Sequence, residues 1–105
     1  SASRRWSDSE CVVLVALYMC SDFAIADDER AENALIASDL SRNPSSVDRQ
    51  WRNIKDYLNR IEGKNISNTL KHFCDAAVED VESVTGLSTE TRGETFYSDH
   101  FHLIE

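Results

Sequence analysis

The chain has 105 residues, enough for one domain with a core and too few for two. Its 41% apolar content and two tryptophans, Trp6 and Trp51, exclude a disordered polymer. A formal charge of −8 argues against a protein that coats nucleic acid by bulk charge, because Lys and Arg supply most non-specific affinity for phosphate.

The apolar run from Cys11 to Cys20 is about half of the ~20 residues that a membrane span needs, so no membrane partner is expected. Ser1-Ala2-Ser3 reads as an expression scar or trimmed end rather than a targeting segment. Cys11, Cys20 and Cys74 form no CxxC pair and are odd in number, which favours a reducing, cytoplasmic setting without a disulfide framework or a zinc site.

In chain order, the first helix is expected to begin at Ser7, since Ser7-Asp8-Ser9-Glu10 fits a capping box and Asp8 and Glu10 suit the positive end of the helix dipole. The valine-rich Cys11 to Cys20 is apolar on nearly every face, and the cap and length favour a buried helix over a strand. After the acidic Asp27-Asp28-Glu29, a short second helix is expected over Ala31 to Leu40, with Ala34, Leu35, Ala37 and Leu40 on its apolar side.

The only proline, Pro44, lies in a turn from Ser41 to Ser46. Val47, Trp51, Ile54, Leu58 and Ile61 then recur at steps of four and three, the strongest helical stripe in the chain. At 100° per residue, Arg49, Arg52, Asn53, Asp56 and Arg60 fall opposite that stripe, and Glu62-Gly63 ends the helix. A fourth helix is expected from Ser67 to about Val84 on the stripe of Leu70, Phe73, Cys74, Ala77, Val78 and Val81. From Leu87 onward Ser, Thr, Glu and Gly break the pattern, which predicts a linker or an extended tail that docks through Phe96, Tyr97, Phe101, Leu103 and Ile104. The expected fold is therefore all-α: a compact bundle of about four helices containing a helix-turn-helix over residues 4–85, followed by a tail over 86–105.

Charge is uneven along the chain. Between Arg42 and Lys71 seven basic residues face three acidic ones, a local +4 that leaves −12 elsewhere. A short helix, a tight turn and a longer helix would place the second helix, Ser46 to Ile61, in the major groove of double-stranded DNA. At its exposed start Ser46, Arg49, Gln50 and Asn53 could reach base edges, Arg49 suiting guanine and Gln50 or Asn53 adenine. Arg42, Arg52 and Lys55 would more naturally touch phosphates.

Arg5-Trp6-Ser7-x-x-Glu10 leading into Leu14 to Tyr18 is similar to the opening of Myb/SANT-like domains. The later run from Ile36 to Val47, with Leu40-Ser41-Arg42-Asn43-Pro44-Ser45-Ser46-Val47 and then Asn53-Ile54, resembles the turn and helix in the amino-terminal region of bacterial HNH-type restriction endonucleases. Ser41 stands where such turns often carry glycine. The resemblance covers residues 4–58. It implies a Myb-like or winged-helix-like accessory domain that helps a larger nuclease, or a related defence protein, hold plain or modified DNA; it does not imply that this chain cuts.

The chain is not expected to be an enzyme and no cofactor is expected. No HNH, HExxH or paired-carboxylate pattern can be assembled from His72, His100 and His102. Asp99, His100 and His102 are explained as well by an extended segment with one dry face as by metal ligation, and Cys74 beside His72 lies on an apolar stripe. The alternative function is an acidic protein-interaction module, an inhibitor or DNA mimic acting through Asp27, Asp28, Glu79 and Asp80; a protein partner or a fused catalytic domain is the other expected contact.

Overall fold

A computed structural model describes residues 5–23, 30–61 and 66–100. The fold is all-α, with five helices among the described residues: α1 (Asp8–Cys20), α2 (Arg30–Leu40), α3 (Pro44–Leu58), α4 (Asn68–Ser83) and α5 (Thr89–Asp99). Asp27-Asp28-Glu29, Glu62-Gly63, Lys64, His102 and the apolar Phe101, Leu103 and Ile104 lie outside the described residues, as do the side chains of Ala31 and Ala34. Among the described residues, no helix is long and apolar enough to cross a membrane.

α1 is the central helix. Its capping box forms as the sequence predicts, with the Glu10 amide donating to Ser7 Oγ at 3.3 Å and the Ser7 amide donating to Glu10 Oε1 at 2.9 Å. The absence of a single apolar stripe is resolved by burial on several sides: Cys11, Val12, Leu14, Val15, Ala16, Tyr18 and Met19 are all buried as α4 and α5 pack on the helix. Tyr18 stacks on Trp51 of α3, ring centres 5.9 Å apart, which joins the core of α1 to that of the α2–α3 pair.

Three helices end in the same way and none uses glycine. Asp22, Ser41 and Arg60 take φ of 60°, 58° and 61° just past α1, α2 and α3. The following amide reaches back in each case: Phe23 to Tyr18 O, Arg42 to Ala37 O and Ile61 to Asp56 O. This is the Schellman arrangement, in which a left-handed residue lets two amides close the last turn. α3 starts at Pro44, two residues before the expected Ser46, because a proline at the first helical position loses no hydrogen bond and brings its φ already set. Its end at Leu58 leaves Ile61, expected on the dry stripe, 53% exposed. Leu35, expected on the apolar side of α2, is 71% exposed, while Ala37 is buried.

The segment expected to be an extended tail is corrected by α5. Ser88 caps it by accepting from the Thr91 amide, and the helix packs along α1 more extensively than any other pair of helices does. Gly93 makes that possible. A Cβ there would run into Cys20 Sγ and stand 2.6 Å from the Ala16 carbonyl, so only a residue without a side chain lets the two backbones approach this closely. Phe96 fills the core one turn later, and Arg92 Nη1 donates to the Val84 carbonyl at 2.9 Å, closing the end of α4.

Candidate nucleic-acid interface

α2 and α3 pack on each other and are joined by a turn at Ser41, Arg42 and Asn43. α3 is locked from beneath: Val47, Trp51 and Ile54 are 0%, 0% and 1% exposed. On the helix wheel these occupy one side, and the strip from Ser45 through Asp48, Arg49, Arg52, Lys55 and Asp56 occupies the opposite one.

The expected contact residues divide. Arg49, Arg52 and Lys55 are exposed on that strip, whereas Ser46 and Gln50 are half-buried on the flank of the helix that also carries Asn53 and Tyr57. Arg52 Nη2 pairs with Asp48 Oδ2 at 2.9 Å, one helical turn back. A surface pair of this kind is worth about 0.3–0.5 kcal/mol, little enough for a phosphate to displace. The strip is mixed in sign, because Asp48 and Asp56 share it.

Two expectations are corrected. Asn53, expected to reach adenine, is 8% exposed, and its Nδ2 donates to Gln50 Oε1 at 3.4 Å. α3 is dry on a second flank as well, where α4 packs, and Asn53 lies with Tyr57 on that flank, next to Lys71 and Asp75. Arg42, expected to touch phosphate, is turned inward with 6% of its side chain exposed. Its Nε and Nη2 grip both oxygens of Glu10 at 2.8 Å, Nη2 also donates to the Arg5 carbonyl at 2.8 Å, and its Cζ lies 4.1 Å from the centre of the Trp6 ring.

This cluster joins Trp6, Ser7 and Glu10 to the α2–α3 turn. Glu10 serves both as the reciprocal partner in the α1 cap and as the anchor for Arg42. The Arg42 hydrogen bond, with help from the Ser7 amide, outweighs burial and holds the Glu10 carboxyl at about 2, against an ordinary 4.5. Residue 42 therefore fixes where α3 begins relative to α1, and its charge is spent inside the protein.

Among the described residues, no three His, Cys, Asp or Glu side chains stand together as a metal site. His100 is the C-cap of α5 rather than part of an extended strand; its Nδ1 lies 2.9 Å from the Phe96 carbonyl and its ring packs against Phe73 and Phe96. Burial pushes the Cys74 thiol up to about 12, the wrong direction for a nucleophile. A groove between the end of α3 and α4 has Leu58, Ile61 and Val78 exposed or half-buried along it, with Asp75, Glu79 and Glu82 and the cations Arg60 and Lys71 also in its lining, and Tyr57 Oη donates to Asp75 at 2.8 Å.

Comparison of the chain with protein-family models, with curated proteins and with solved structures finds no match.

Proposed function

We propose that this domain is an accessory DNA-binding module that lays the exposed strip of α3 against double-stranded DNA. The observation that carries the reading is the pairing of a rigidly seated helix with three exposed cations on its outward side, Arg49, Arg52 and Lys55. A helix whose inner face is locked at Val47, Trp51 and Ile54 presents those cations in one fixed register, as groove recognition requires. Arg49, near the helix start, is the residue suited to guanine, while Arg52 and Lys55 are placed for the backbone. The resemblance of the Arg5–Glu10 opening to Myb/SANT-like domains, and of the Ile36–Val47 run to endonuclease amino-terminal regions, supports a role within a larger nuclease or defence protein, with cutting carried out by another domain.

Three cations on an acidic chain make a weak binder, in keeping with an accessory role in which a tethered partner supplies effective concentration. Neutralising about three phosphates gives a log–log salt slope near −2.7, roughly a 40-fold loss of affinity between 50 and 200 mM salt. Titration of labelled duplexes, plain and base-modified, with the wild-type domain and with Arg49→Ala/Arg52→Ala tests this. The variant is expected to lose most of the binding and most of the salt dependence. Equal binding by the two proteins would refute the assignment to α3.

A second reading is favoured by the α3–α4 groove, where Leu58, Ile61, Ile66 and Val78 stand among Asp56, Asp75, Glu79 and Glu82, which outnumber Arg60 and Lys71, a lining that fits a basic protein segment better than DNA. Absence of binding to any duplex by the folded domain would favour it.

A further inference from the structure

Arg42 ties the chain ahead of α1 to the start of α3. Its contacts with Glu10 neutralise it internally, while its Nη2 hydrogen bond fixes the carbonyl of residue 5 beside the turn. Arg42 immediately precedes Asn43, the N-cap of α3. Arg5 itself is exposed, and its always-charged side chain extends from a backbone position that Arg42, the residue just before the N-cap of α3, holds through the Arg5 carbonyl.

We propose that Arg5 is a further phosphate contact of the domain, held in place by Arg42 acting as a positioning residue. The proposal rests on the DNA-binding reading of α3. A helix that enters the groove with its first turns has the phosphate backbone passing its leading end, where a cation meets phosphate rather than a base edge. Arg49 lies about 7.5 Å along the axis from Pro44, so Arg5 extends the cationic footprint past the end that α3 itself covers. Arg42, which would have filled that place, is turned inward, its Nε and Nη2 held by the Glu10 carboxylate and the Arg5 carbonyl.

The contact has a signature in the salt dependence. With Arg5 engaged, the wild-type slope is near −3.6 rather than −2.7, and Arg5→Ala lowers it by about 0.9. The same relation gives roughly an eightfold loss of affinity at 100 mM salt if the contact vanishes at 1 M. Arg5→Ala keeps the carbonyl that Arg42 uses, so the fold is preserved. Arg42→Lys keeps the charge but not the fork; where thermal melting shows it folded, it should weaken binding in the wild type and add nothing in the Arg5→Ala background.

The experiment is fluorescence anisotropy of a labelled duplex with wild type, Arg5→Ala, Arg49→Ala, Arg42→Lys and Arg5→Ala/Arg42→Lys between 50 and 200 mM salt. An unchanged slope for Arg5→Ala beside a weakened Arg49→Ala overturns the Arg5 contact alone. An Arg42→Lys loss that adds fully to that of Arg5→Ala overturns the positioning role. If Arg49→Ala also binds as wild type does, or nothing binds, the DNA-binding reading fails and takes this proposal with it.

Discussion

Replacing Gly93 with alanine should destabilise the domain, although it puts a better helix former into α5. The added Cβ would collide with Cys20 Sγ and stand 2.6 Å from the Ala16 carbonyl, where ordinary contact begins at 3.4 Å. The sulfur can swing aside. The carbonyl belongs to the backbone of the buried central helix, so α5 must retreat by about 0.8 Å along its whole contact with α1. Overpacking of this kind costs about 1–3 kcal/mol, and the better helix propensity of alanine returns about 1 kcal/mol. The net loss, up to about 2 kcal/mol, lowers the melting temperature by about 4–8 °C for each kcal/mol in a domain of this size. Urea and thermal unfolding followed by circular dichroism measure it, and adding Cys20→Ala should restore only the part due to the sulfur. A Gly93→Ala protein more stable than wild type by about 1 kcal/mol, the result for an exposed helical glycine, would refute the close α1–α5 packing.

Two further effects should be measurable by the same methods. Glu10 is held at about 2 in the folded state against an ordinary 4.5, so it contributes stability above pH 4.5 that is lost as pH falls towards 2; the full shift corresponds to about 3.4 kcal/mol, and solvent screening at this partly open site reduces it to roughly 1–2 kcal/mol. The stability of Glu10→Gln should accordingly fall less steeply than wild type below pH 4.5, and parallel curves for the two proteins would show that the Arg42 pairing is worth little. Ser41 carries a left-handed φ of 58°, so Ser41→Gly should stabilise by about 1 kcal/mol, and a loss of stability instead would mean that the turn depends on the serine side chain.

What the sequence reveals follows from how local each signal is. The α1 cap and the α3 stripe from Val47 to Leu58 involve residues three or four apart and are present where the pattern puts them, and α4 begins beside the expected Ser67, although Ile61 at the end of the α3 stripe lies beyond the helix. α5 is hidden because Gly93 reads as a helix breaker until its neighbour α1 is in place; Ser88 with Glu90 behind it, and the spacing of Arg92, Phe96 and His100, are the signals that could have found it. Asn53 escapes because a helix wheel built on one stripe has no second flank for α4 to cover. The inward turn of Arg42 depends on a carboxylate 32 residues away in sequence, a pairing that no spacing rule reaches. The same guanidinium binds the Arg5 carbonyl, a contact 37 residues apart in sequence that is equally beyond any spacing rule.

The most direct test of the DNA-binding account is amide chemical-shift mapping of the isotopically labelled domain titrated with a short duplex. The account predicts perturbations concentrated at Arg5 and along the exposed strip from Ser45 to Asp56, with the amides of α4 and α5 unmoved. Shifts centred instead on the groove by Ile61, Val78 and Glu82, or no shifts from a folded protein, would contradict it.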